Sequence, residues 1–123
     1  MKNTLMHVNY DMWLDNDGKA FGEECFQLLE AVEKTGSLNK AATKLSLSYG
    51  GALRALQRSE KRLGFALLDR KIGGPSGGGS QLTPMARELM TRYRLFSEEL
   101  LRTISHIYAK HFSTVSQRNR RAG

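Results

Sequence analysis

Basic and amide side chains recur at helical spacing within residues 48–63 of this chain. At about 100° per residue, they share one face with Gly50 and lie opposite Ala52, Leu56 and Leu63. Arginine can pair bidentately with guanine, glutamine can pair with adenine, and either side chain can hold a phosphate. The pattern therefore predicts a helix that contacts DNA through the outward residues Gly50, Arg54, Gln57, Arg58 and Lys61.

Two consecutive glycines, Gly50 and Gly51, stand in the first turn of this predicted helix. Each costs a helix on the order of 1 kcal/mol relative to alanine. A first turn without side chains lets the positive helix N-terminus approach a phosphate or a base edge closely. The adjacent Tyr49 can stack on a sugar or base or offer its hydroxyl. The alternative interpretation is a surface helix whose first turn has weak helix propensity.

A shorter helix is predicted just before this one, with Ser37 as N-cap and Leu45 as its last residue. Ser46 and Leu47 make a tight turn, and Ser48 caps the next helix, which ends at Gly64. Two helices joined in this way place the first across the DNA backbone and the second in the major groove. Phosphate contacts, which fix register without reading sequence, are expected from Ser37, Asn39, Lys40 and Lys44. Each lysine taken singly is equally well explained as a solvated surface residue.

Two strands are predicted after the helices, at residues 65–71 and 80–82, joined by the glycine-rich run of residues 73–79. Such a pair forms a wing beside a helix-turn-helix. Arg70 and Lys71 are then placed to reach a minor groove or the backbone, with the wing spanning residues 71–80. The glycine run is not a nucleotide-binding loop, because no Gly-Lys-Ser/Thr follows it.

The remaining elements support this unit. Strand-forming residues 7–14 and a turn at residues 15–18 predict an N-terminal β-hairpin, followed by a helix over residues 23–34 that stops at Gly36. Thr83 and Pro84 begin a long helix that is predicted to end at Phe112. Its apolar stripe exceeds what a small domain can cover, which favours pairing with the same helix of a second subunit. The predicted interface residues are Leu89, Tyr93, Phe96, Leu100, Ile104 and Ile107.

The net charge of +7 is divided unevenly along the 123 residues. Residues 1–36 hold seven acidic and three basic side chains, and residues 37–123 hold five acidic and sixteen basic ones. Segregated positive charge suits a polyanionic partner, although a basic chain can also owe its charge to general solubility. Residues 1–112 are expected to form one domain, with residues 113–123 as a disordered basic tail.

Other chemistry finds little support in the sequence. Cys25 lies within an apolar helical pattern, which predicts a buried, inert thiol. His106 and His111 do not share a helix face, so no metal site is expected, and no catalytic constellation or cofactor motif stands out. We therefore expect no enzyme. Without an apolar run of about 18 residues or a signal-peptide core, the chain is predicted to be cytoplasmic and not to enter a membrane.

Residues 35–82 resemble the DNA-binding domain of LysR-type regulators and, more closely, that of the molybdate-responsive ModE-type regulators. The residues that carry this resemblance are Thr35-Gly36-Ser37, Ala41-Ala42, Leu45, Ser48-Tyr49, Leu63-Gly64, Leu67, Arg70 and the glycine-rich segment before Leu82-Thr83. Two positions depart from the family pattern: Ser59 replaces a large apolar residue, and Ala86 replaces a glycine. The resemblance implies that Tyr49, Gly50, Leu53 and Arg54 occupy the positions at which LysR-type recognition helices touch DNA.

The expected fold is mainly α with a small antiparallel sheet: a winged helix-turn-helix with an N-terminal β-hairpin and a long dimerisation helix at residues 84–112. By resemblance, the expected function is transcriptional regulation by a homodimer that binds double-stranded DNA sequence-specifically. The chain ends before a molybdate-binding domain could begin, so no small-molecule effector domain is expected. The alternative is a degenerate winged helix that serves as a protein-interaction module.

Overall fold

The computed structural model describes residues 6–69 and 79–122, with side chains through residue 113. These residues are mainly helical and include two small antiparallel sheets, each of two strands, which confirms the predicted fold class. Two compact units are distinguished, one of residues 12–91 and one of residues 1–11 and 92–123. The elements in chain order are β1 (Trp13–Asp15), β2 (Lys19–Gly22), α1 (Glu23–Thr35), α2 (Leu38–Lys44), α3 (Tyr49–Leu63), β3 (Leu68–Asp69), β4 (Gln81–Leu82) and α4 (Pro84–Ala122).

The N-terminal hairpin forms as predicted, with β1 paired antiparallel to β2 and Leu14 opposite Phe21. Its turn uses the positive φ angles of Asp17 (60°) and Gly18 (126°), conformations that aspartate and glycine tolerate best. The first strand is shorter than predicted, since residues 7–12 are not in a strand. The partner strand is only four residues long and leads directly into α1, so it leaves those residues nothing to pair with.

The helix ends follow the capping signals in the sequence. The Ser37 hydroxyl accepts a hydrogen bond from the Lys40 amide at 3.2 Å, and the Ser48 hydroxyl accepts one from the Gly51 amide at 3.0 Å. Gly36 and Gly64 adopt left-handed conformations, with φ of 75° and 85°, and end α1 and α3. The predicted starts of α2 and α3 and the predicted stops of α1 and α3 are thus confirmed.

The core of the residue 12–91 unit is built from the inner faces of the first three helices. Leu29, Ala41, Ala42, Ala52 and Leu56 are at most 1% exposed. Alanine at three of these positions lets α2 and α3 approach closely, which fixes the angle of the helix-turn-helix. Other buried residues close the core from the hairpin and from the strands, among them Phe21, Leu67 and Leu82.

The two segments at the base of the predicted wing are bonded to each other and to the residue that ends α1. The Thr83 amide donates to the Leu67 carbonyl at 3.0 Å, and the Thr83 hydroxyl donates to the Ala66 carbonyl at 2.7 Å. The Ser80 amide donates to the Gly36 carbonyl at 2.9 Å. These bonds fix the two chain segments between which the wing would extend. Residues 70–78, which include Arg70 and Lys71, lie outside the described residues.

The predicted starts of the two wing strands and the predicted end of the last helix are wrong. Among the described residues, β3 begins at Leu68 rather than at residue 65, and β4 begins at Gln81 rather than at residue 80, where the Ser80 amide donates to the Gly36 carbonyl instead of to β3. The last helix does not end at Phe112 but continues to Ala122, since no glycine or proline interrupts residues 85–122. The division into a domain of residues 1–112 and a tail of residues 113–123 stays a prediction. No helix in the described part of the chain is long and apolar enough to cross a bilayer.

Candidate nucleic-acid interface

The connection between α2 and α3 is a tight turn of four residues, 45–48. The Leu47 amide donates to the Ala42 carbonyl at 2.8 Å, which folds the turn back on α2. Ser46 has a positive φ of 59°, a conformation uncommon outside glycine, asparagine and aspartate. The turn therefore holds the two helices in one fixed geometry, as a helix-turn-helix requires.

The outward face of α3 carries the residues predicted for it. Its inner face is buried through Ala52, Leu56 and Ser59. The side chains of Arg54, Gln57, Arg58 and Lys61 are exposed, and Tyr49 at the start of the helix is 48% exposed. Gly50, Gly51 and Leu53 are partly buried. The predicted DNA-facing side chains therefore lie on one accessible surface.

The two glycines at the start of α3 have different neighbours. A Cβ on Gly50 would stand 3.1 Å from Nη1 of Arg54, so the guanidinium lies back across the first turn of the helix. A Cβ on Gly51 would stand 3.0 Å from the Ser48 hydroxyl oxygen, the atom that caps the helix. Gly50 thus leaves room for the arginine, and Gly51 leaves room for the cap.

Glu60, the acidic residue of α3, does not neutralise the basic outward face of the helix. Glu60 turns towards the start of β3, where its Oε2 accepts hydrogen bonds from the amides of Leu67 at 2.7 Å and Leu68 at 3.5 Å. Sequence reasoning missed this contact, which links α3 to the base of the predicted wing. The only sequence signal is a carboxylate at the border of an otherwise basic helix face.

The α2 residues predicted to contact phosphate lie at the surface. Asn39, Lys40 and Lys44 are exposed, and Ser37 is half-buried. The oxygen of Ser37 accepts the Lys40 amide, but its hydroxyl hydrogen remains able to donate to a phosphate. At the start of α3, the oxygen of Ser48 likewise accepts the Gly51 amide, and its hydroxyl hydrogen remains able to donate to a phosphate.

Residues 24–87 match the family described as "Bacterial regulatory helix-turn-helix protein, lysR family". The chain belongs to the LysR family. Its N-terminal part also resembles the ModE proteins, so these residues form a ModE/LysR-type winged-helix domain. The "Molybdenum transport protein ModE" of Azotobacter vinelandii is 39% identical over 89 residues, which cover 72% of this chain and 33% of that protein. The "Transcriptional regulator ModE" of Haemophilus influenzae is 37% identical over 110 residues, which cover 88% of this chain and 40% of that protein.

The fold is also similar to the protein chain in the "Crystal structure of CbnR_DBD-DNA complex". The TM-score is 0.55 at 25% sequence identity, and the match covers 72% of this chain and 95% of that one. The LysR-family chain spans only about a quarter to two fifths of the length of the curated relatives it matches.

The long helix of this LysR-family chain exposes much of its predicted interface. Phe96 and Ile107 are 50% and 49% exposed, and Leu89, Leu100 and Ile104 are partly exposed. Tyr93 differs, because it is only 4% exposed within the single chain and has little surface left for a partner. Leu95 and Leu101 are also exposed but lie off the stripe, and they are not among the predicted interface residues.

Proposed function

We propose that this chain is a transcriptional regulator that binds double-stranded DNA sequence-specifically, with residues 48–63 as the recognition helix in the major groove. The observation that carries the proposal is the exposed row Arg54, Gln57, Arg58 and Lys61 on a capped helix that follows a tight turn. Arginine and glutamine are the side chains best suited to read guanine and adenine in the major groove. The relative in Haemophilus influenzae is named a transcriptional regulator, and the similar solved structure is a DNA complex.

The remaining predicted contacts take supporting roles. Ser37, Lys40, Lys44 and Ser48 hold phosphates beside the groove and set the register of the recognition helix. Tyr49, Gly50, Gly51 and Leu53 bring the first turn of α3 against the bases. Arg70 and Lys71, with the wing of residues 71–80, contact the backbone or the neighbouring minor groove. A regulator of this kind works in the cytoplasm and carries out no chemical reaction.

We further propose a homodimer that pairs through α4. Phe96 and Ile107 lie on one stripe with the partly exposed Leu89, Leu100 and Ile104, and burying such a stripe against a second copy removes apolar surface from water. Two recognition helices would then enter successive major grooves about 34 Å apart on a site with two-fold symmetry. Pairing also doubles the phosphate contacts available to each complex.

Selection from a randomised duplex pool tests this function. The enriched sequence should be a two-fold symmetric site bound about a thousandfold or more tightly than a shuffled duplex at physiological salt. Fluorescence anisotropy with both duplexes measures that ratio. A ratio near one would refute sequence-specific regulation and favour the alternative, a degenerate winged helix that binds another protein through the exposed face of α4.

A further inference from the structure

An open cavity of about 420 Å³ lies between β2, α1 and α3, away from the helix-turn-helix connection. Its apolar wall includes the partly exposed Ala55 and the fully buried Phe21 and Leu28. Cys25 and Ser59 add a thiol and a hydroxyl to this wall. Ser59, one of the two departures from the family pattern, is small, and a large apolar side chain there would fill part of the space.

Basic side chains surround this cavity. Lys19, Arg58 and Arg62 line it together with the carboxylate of Glu24. Among the described residues, three basic side chains and one acidic side chain line the mouth of the cavity, so its net charge is positive. Since fields in a concave, partly apolar site are less screened than on a flat surface, this balance favours an anionic occupant.

Two of the three cations are held in place by the hairpin. Nε of Arg62 donates to the Asp17 carbonyl at 3.3 Å, and a Cβ on Gly18 would stand 2.3 Å from Nε. Nδ2 of the Asn16 side chain, in the same hairpin, also donates to the Arg62 backbone carbonyl at 2.8 Å. Nζ of Lys19 sits 5.0 Å from the centre of the Trp13 ring. Cations fixed before a ligand arrives lose less entropy on binding than free side chains do.

The Cys25 thiol adds no negative charge to the wall of the cavity. Burial raises the pKa of the Cys25 thiol to about 11, an effect that the Ser59 hydroxyl partly offsets and that Glu24 and Glu60 reinforce. The thiol is therefore neutral at pH 7 and acts as part of the apolar wall.

We propose that this cavity binds a small organic anion, with an apolar body against Cys25 and Ala55 and a carboxylate at Arg58 and Arg62. A bare inorganic ion would leave the apolar wall uncovered, and a neutral compound would gain nothing from the cations. The proposed anion site does not rest on the proposed DNA-binding function, although Arg58 also belongs to the proposed DNA-binding face.

Nuclear magnetic resonance of the ¹⁵N-labelled full chain tests the site, with benzoate and hexanoate as probes at constant ionic strength. Both anions should shift the amides of residues 19–28 and 55–62 in a saturable manner. Benzamide, which keeps the ring but lacks the charge, should bind at least about tenfold more weakly, and so should inorganic phosphate, which lacks the apolar body.

Paired variants distinguish binding at the cavity from a general effect of positive surface charge. Arg58→Gln should weaken benzoate binding at least about threefold, whereas Lys61→Gln, which removes an exposed charge outside the cavity, should leave it unchanged. Ser59→Leu should abolish the shifts by filling the space, with Ser105→Leu on exposed α4 surface as its control. Absence of saturable shifts from both anions would overturn the proposal, as would equal effects of Arg58→Gln and Lys61→Gln. Thermal melts of each variant confirm that the fold is retained.

Discussion

The guanidinium of Arg54 lies across the first turn of α3 at the position left open by Gly50, 3.1 Å from where a Cβ would stand. The glycine that weakens the helix is thus the residue that accommodates the arginine proposed to read DNA. The two residues are one turn apart and share the outward face. A Cβ at position 50 would therefore push the end of the Arg54 side chain outward by a few tenths of an ångström.

Gly50→Ala should separate stability from recognition. Alanine raises helix propensity, so the free energy of unfolding should rise by up to about 1 kcal/mol. The added Cβ displaces the end of Arg54, so affinity for the selected site should fall roughly tenfold if Arg54 makes a bidentate base contact. Thermal denaturation and fluorescence anisotropy measure the two effects.

Gly51→Ala is the matched control for that variant. Its Cβ meets the Ser48 oxygen instead of Arg54, and disturbing this N-cap costs about 1 kcal/mol, which the gain in propensity offsets. Specific affinity should therefore fall less than in Gly50→Ala. If Gly50→Ala binds its site as tightly as the wild type, the position of Arg54 across the first turn has no part in recognition.

Arg54 should contribute mainly to affinity for the selected site, whereas Lys44 should contribute to affinity for any duplex. Arg54→Ala should cost roughly 1–3 kcal/mol on the selected site and much less on random duplex. Lys44→Ala, which removes a proposed phosphate contact, should weaken binding to both and lower the slope of log affinity against log salt by about 0.9. Titrations at several salt concentrations give both quantities. Equal losses on the two duplexes for Arg54→Ala would contradict its base-reading role.

Glu60 should matter for stability because its carboxylate accepts the amide of the fully buried Leu67. Glu60→Ala leaves that donor without its partner and should lower the free energy of unfolding by about 1–3 kcal/mol. Glu60→Gln retains an acceptor oxygen and should cost less. Chemical denaturation measures these values, with Glu98→Ala on exposed α4 surface as the control. An alanine variant as stable as that control would show that the bond contributes nothing.

The sequence predicts the helix-turn-helix well because its signals are local. Ser37, Ser48, Gly36 and Gly64 mark helix ends through bonds or φ angles within a few residues. The contacts of Arg62 with the hairpin join residues 45 and 46 positions apart, and no local pattern reveals them. The cavity beside Cys25 escapes prediction for the same reason, since its walls come from three elements.

Cys25 should make stability sensitive to alkaline pH. Its pKa, raised by burial to about 11 in the folded chain from an ordinary value of 9.0, means that the unfolded chain loses the thiol proton first. The stabilising difference is complete below pH 9 and is lost as the pH rises through about 11, by about 3 kcal/mol at most. The free energy of unfolding of the wild type should therefore fall more steeply over this range than that of Cys25→Ala. Parallel falls in the two proteins would contradict the burial of the thiol.

The stripe on α4 should decide the oligomeric state. Phe96 is half-exposed and lies near the middle of the predicted interface, so Phe96→Asp places a charge in it and should dissociate the dimer. Leu95 is more exposed, at 60%, but lies about 140° around the helix from the centre of the stripe. Leu95→Asp is therefore the matched control and should leave the dimer intact.

Light scattering after size-exclusion chromatography measures the outcome. The wild type and Leu95→Asp should show twice the chain mass of 13.8 kDa, and Phe96→Asp should show the single-chain mass. Affinity for a half-site should then survive in Phe96→Asp, whereas affinity for the full two-fold site should drop, because each complex loses half of its phosphate contacts. If the wild type shows the single-chain mass, the proposal that two chains pair through α4 is wrong, and each recognition helix binds DNA without a partner.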